Sequence, residues 1–139
     1  MDINIIEKYK GLKIEKVEGL HKESPEVTFH LRGGGRLTFL HYQDCCEDVR
    51  LVDFEDYSLD GFEGATLREI TEASECAADE EEYESRTWTF YTVRTSKGDL
   101  WMRWLGESNG YYSEEVSIEF IPATAALKIQ AEKDFPYLK

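Results

Sequence analysis

Hydrophobic and polar residues alternate with period two along most of this chain, which is the pattern of half-buried strands. Leu12, Ile14 and Val17 open a first strand, and Val27, Phe29 and Leu31 share one face of the next. Gly33-Gly34-Gly35 permits the positive φ of a hairpin. Leu37, Phe39 and His41 then share a face of the returning strand. A fourth strand is expected over residues 49–54, and a fifth over 65–73 after a turn bracketed by Gly61 and Gly64. Residues 86–95 are rich in Thr, Val and aromatics, the side chains that suit a pleated surface. Ser96-Lys97-Gly98 turns that strand back through residues 99–105. Finally Val116, Ile118 and Phe120 alternate with Ser117, Glu119 and Ile121 until Pro122. Short helices are expected over 2–10 and 123–133, and the apolar tail 135–138 reads as a docking segment. The sum is a mainly β (β-rich α+β) chain: an antiparallel sheet or rolled half-barrel of about eight strands with one or two short helices.

At 139 residues, 41% of them hydrophobic, the chain suits one domain with a real core. Its formal net charge is -13. Glu72, Glu75, Asp79, Glu80, Glu81, Glu82 and Glu84 follow one another without a Lys or Arg, and they account for more than half of that charge. Residues 74–85 therefore read as a solvated acidic loop. Such a field repels nucleic acid and anionic membrane and attracts basic partners, so direct nucleic-acid binding is not expected. Three cysteines, two of them adjacent, do not make a secreted disulfide framework. No apolar run approaches the roughly 20 residues that span a bilayer. The first seven residues lack a basic region followed by an apolar one, so the cytoplasm of a native or infected cell is the expected location.

Chemistry concentrates in residues 101–114, Trp-Met-Arg-Trp-Leu-Gly-Glu-Ser-Asn-Gly-Tyr-Tyr-Ser-Glu. Alternation puts Trp101 and Arg103 on one face of a strand and Trp104 on the other. Arg103 can fork onto a phosphate while an aromatic stacks on a base, or it can make a structural cation–π contact. Asn109-Gly110 allows a type I′ turn, and Tyr111 and Tyr112 point to opposite faces if the backbone stays extended. Arg32, Arg36 and Arg94 are reserve cations on strands. Trp101, Arg103, Asn109, Gly110, Tyr111 and Tyr112 together form the candidate ligand site. They suit binding better than proton transfer, because they hold no histidine, thiol or close carboxylate pair. His41-Tyr42-Gln43-Asp44-Cys45-Cys46-Glu47 lacks the two-to-four-residue cysteine spacing of zinc sites, and reads as a packed corner with half-buried thiols. His21 and His30 have no partner nearby in sequence. No catalytic residue, metal or cofactor is expected.

Three segments resemble a family of small phage- and prophage-encoded proteins known largely as a domain of unknown function. They are Asp44-Cys45-Cys46-Glu47 followed by Val49, Thr87-Trp88-Thr89-Phe90-Tyr91, and the run from Arg103-Trp104 through Gly106 and Ser108-Asn109-Gly110-Tyr111-Tyr112-Ser113-Glu114. The resemblance spans residues 11–121. The chain also resembles the phage anti-Thoeris sponge proteins, β-rich oligomers that hold cyclic ADP-ribose-type immune signals without degrading them, some of which also hold cyclic oligonucleotides. That resemblance implies a non-catalytic homo-oligomer that sequesters a nucleotide signal in the host cytoplasm, with Arg103 and Asn109 in the site. The alternative is an acidic inhibitor that mimics nucleic acid, as an anti-CRISPR factor does, and blocks a basic partner.

Overall fold

Two four-stranded antiparallel sheets face each other across one hydrophobic core. The computed structural model describes residues 9–79 and 84–121. Both expected helices fall largely or wholly outside that range, and so does the apolar tail 135–138. Among the described residues no helix is long and apolar enough to cross a membrane.

The first sheet contains β1 (Ile14–Glu18), β2 (Glu26–Leu31), β3 (Arg36–Leu40) and β8 (Ser117–Ile121), in the order β1-β2-β3-β8. The second contains β4 (Asp48–Asp56), β5 (Leu67–Asp79), β6 (Glu84–Thr95) and β7 (Gly98–Ser108), in the order β4-β7-β6-β5. Short bridges tie the sheets at two corners, Lys13 with Thr66 and Ser24 with Leu51, but the structure does not close into a barrel.

The expected alternation fills the space between the sheets. Val27 lies opposite Phe39 and Phe29 opposite Leu37, and all four are fully buried. Ile118 and Phe120 extend that face from β8. From the second sheet come Leu51, Ile70, Tyr91, Val93, Leu100, Met102 and Trp104. The rings of Phe39 and Tyr91 meet edge to face across the interior, with centroids 4.9 Å apart.

The acidic segment differs from expectation. Residues 74–79 are the far half of β5, and they pair in register with β6, Ser74 opposite Thr89 and Cys76 opposite Thr87. Composition suggested a loop because acids disfavour strands on average. A strand with one wetted face tolerates them, and pairing along its length satisfies the backbone. A bulge in β4 also breaks the simple period. Leu51 pairs with Trp104 on the inner face, yet Asp53 pairs with Arg103 on the outer one, because Val52 is the extra residue between them.

Candidate functional site

Alternation along β7 divides the residues of the candidate site between two surfaces. Trp101 and Arg103 project outward and Trp104 is fully buried, as the sequence pattern requires. On that outer face Phe90 of β6 and Asp53 of β4 flank Arg103 in register, and Glu55 stands beside Trp101. The Arg103 guanidinium carbon lies 5.1 Å from the Trp88 ring centroid, a cation–π distance. Its ion pair with Asp53 is loose, at 3.7 Å, and both side chains are half exposed, so the pair constrains it little. Trp101 is 51% exposed and packs edge to face against Tyr57 at 5.2 Å. The Tyr57 hydroxyl donates to Glu55, which raises the phenol pKa. A shallow groove of about 330 Å³ runs between Phe90, Trp101 and Arg103, with Asp53 and Glu55 on its wall.

The bend after β7 belongs to the opposite face. Gly106 and Ser108 follow Trp104 onto the inner side, and the chain folds back against them. Asn109 does not make a type I′ turn, which needs positive φ at both central residues, since only Gly110 has it, at 91°. The Asn109 side-chain oxygen instead accepts from the Tyr111 amide at 2.9 Å, an Asx turn. Tyr111 and Tyr112 do not diverge: the bend brings their rings edge to face, 5.1 Å apart. Glu114 fixes the fold-back. It is 7% exposed and accepts from Thr87 at 2.7 Å, from Ser85 at 3.2 Å and from Ser108. A Cβ at Gly106 would stand 2.6 Å from the Glu114 carbonyl oxygen, so glycine is required where the backbones cross. Gly110, Tyr111 and Tyr112 line a cleft of about 740 Å³ on this side, and Asn109 sits apart near Cys46 and Asp48. The six candidate residues therefore do not converge on one pocket.

The reserve cations lie elsewhere. Arg94 approaches Glu69 at 3.6 Å on the outer face of the second sheet, Arg36 is half-buried on β3, and Arg32 is exposed just past β2. His30 lies 3.2 Å from Glu18 and His21 is exposed.

The corner at residues 41–47 is organised by a residue that sequence reasoning passed over. The Glu47 carboxylate is completely enclosed. Backbone amides of Cys45 and Asp44 donate to it at 2.7 and 3.1 Å, Gln43 donates at 3.1 Å, and His41 Nε2 lies 3.0 Å away. The other His41 nitrogen reaches the Glu115 carbonyl oxygen at 2.7 Å, which ties the corner to the segment entering β8. Burial alone would raise the Glu47 pKa; the Cys45 amide, His41 and the Asp44 amide outweigh it and hold the group at about 2. Cys45 and Cys46 are exposed, not half-buried, and their sulfurs are joined. Cys76 is a free, exposed thiol. No group of three His, Cys, Asp or Glu among the described residues is arranged to hold a metal. Glu47 left one trace in the sequence: an acid at the end of a tight corner that opens with His41, where bending amides need an acceptor.

No curated protein and no solved structure matches the chain. A family model described as a domain of unknown function (DUF7448) matches residues 7–118, which include seven of the eight strands among the described residues, both faces of β7 and the Glu47 corner. The chain belongs to the DUF7448 family.

Proposed function

We propose that this protein binds and sequesters a nucleobase-bearing small molecule, of the cyclic ADP-ribose or cyclic nucleotide type, without transforming it, and that the outer face of the second sheet is the receptor. The observation that carries this reading is the Arg103 guanidinium stacked on Trp88 between two exposed aromatic rings, Phe90 and Trp101. A flat base would stack on the rings, its exocyclic amine would donate to Asp53 or Glu55, and Arg103 would take the phosphate. The groove's described lining includes no histidine or thiol, which favours holding over reacting. As a counter-defence protein it would act in the host cytoplasm. As a homo-oligomer, which the sponge resemblance implies, it could add cations from a second copy and offset the acidic field.

Calorimetric titration with a panel of cyclic nucleotides and cyclic ADP-ribose isomers tests this. The expected result is a stoichiometric complex that releases intact ligand on heating, and an affinity that Arg103→Ala weakens more than tenfold, about 1.4 kcal/mol. Unchanged affinity in that variant removes the site, and recovery of a product in place of the ligand makes the protein an enzyme.

One observation favours the acidic-inhibitor alternative. Glu69 and Glu75 stand exposed on the outer face of a paired strand, so the acidic charge there is presented from an ordered backbone to a basic partner. Deleting residues 75–84 would dismantle β5, so charge reversal is the cleaner probe. Binding to a basic partner would fall steeply with salt and with Glu69→Lys/Glu75→Lys, and salt-independent binding would remove this reading.

A further inference from the structure

The inner face of the second sheet changes character halfway along β5 and β6. Near the core its inward positions are Ile70, Tyr91 and Val93. Beyond them come Glu72, Ser74 and Cys76 on β5, and Thr89, Thr87 and Ser85 on β6. An inward-facing strand surface ordinarily carries large apolar side chains. Six successive inward positions without one leave the cleft of about 740 Å³ roofed by residues 110–118. That volume lies within the range of small-molecule sites.

Its chemistry differs from that of the Arg103 groove. No Lys, Arg or His is among the described residues lining it, so nothing there neutralises a phosphate. Acceptors and small hydroxyls dominate. One Glu72 oxygen accepts from the Tyr91 hydroxyl at 2.6 Å, and the other has no partner among the described residues. Glu114 is fixed by Ser85, Thr87 and Ser108, with acceptor capacity left on the oxygen that Ser108 uses. Ser74 and Thr89 add two more hydroxyls to the lining, Ser74 exposed and Thr89 buried. Beside the cleft stand the Tyr111 and Tyr112 rings, and Tyr111 is 83% exposed.

We propose that this cleft is a second binding site, separate from the Arg103 groove, and that its ligand is a neutral polyhydroxylated molecule of the sugar class. Sugar hydroxyls would donate to Glu72 and Glu114 and exchange hydrogen bonds with Ser74 and Thr89. The apolar C–H face of the ring would lie on Tyr111. The site needs no bound ion and no reaction.

The test is saturation-transfer NMR on the full chain with glucose, galactose, mannose, ribose and their common disaccharides at millimolar concentration, with spermidine as a cationic control. At least one saccharide should receive saturation. Tyr111→Ala, at an exposed position, should reduce its affinity at least fivefold, and Ser74→Val should do the same by filling the floor. Arg103→Ala should leave it unchanged, which separates this site from the nucleotide groove. Circular dichroism confirms that each variant is folded. No transfer to any saccharide, transfer undiminished in both cleft variants, or spermidine binding in place of sugar overturns the proposal.

Discussion

Replacing Trp104 with alanine should cost the fold about 3–5 kcal/mol, the usual range for a large aromatic removed from a closed core. Trp104 is the largest fully buried side chain described, and it lies opposite Leu51 on β4 and Thr89 on β6 in the middle of the second sheet. Its removal would leave a void against β7, a strand held on both sides by β4 and β6, which cannot shift freely to fill it. The loss is a large fraction of the roughly 5–15 kcal/mol that holds a typical domain together. Trp104→Phe should cost less than half as much. The indole nitrogen has no hydrogen-bond acceptor among the described residues, so phenylalanine sacrifices volume but no hydrogen bond described there. Guanidinium unfolding at neutral pH measures both, and a loss under about 1 kcal/mol for Trp104→Ala would show that the two sheets do not close over this position.

The second large effect is a dependence on pH. A carboxylate whose pKa is lower folded than unfolded stabilises the fold where it is ionised in both states. For Glu47 that contribution is complete above the ordinary value of 4.5, shrinks as pH falls, and is gone once pH passes about 2. The denaturant midpoint should therefore drop between pH 6 and pH 3. Glu47→Gln should unfold more readily at neutral pH, because the new amide keeps an acceptor oxygen for one of the Cys45 and Asp44 N–H groups and turns its NH2 toward the other, which loses its acceptor. It should also flatten the acid dependence. If wild type and Glu47→Gln lose the same stability between pH 6 and pH 3, the acid sensitivity arises elsewhere.

Much of the architecture was legible from local pattern. The inward sets Val27–Phe29–Leu31, Leu37–Phe39 and Val116–Ile118–Phe120 fall where period-two alternation places them, as do the opposed faces of Trp101 and Trp104. Side-chain period is a property of the extended backbone and needs no partner strand. The acidic half of β5 was not legible, because average composition outweighed a pairing that becomes visible only beside β6. The candidate site divides between two surfaces for a related reason. Trp101 through Tyr112 are continuous in sequence, but a strand sends alternate residues to opposite sides, and the bend after Ser108 returns along the inner one.

Local pattern in the chain set the class of the fold, about eight antiparallel strands, and the inward side chains of the regular strands β2, β3, β7 and β8. Alternating hydrophobicity carries that information locally. Which side chains meet depends on how distant strands pair. The bulge at Val52 turns Asp53 toward Arg103, and the meeting of Gly106 with Glu114 returns the bend onto the inner face. Pairing between β5 and β6 converts an acidic stretch into the floor of a cleft. Each depends on the register between segments far apart in the chain, and a one-residue slip would exchange inside for outside.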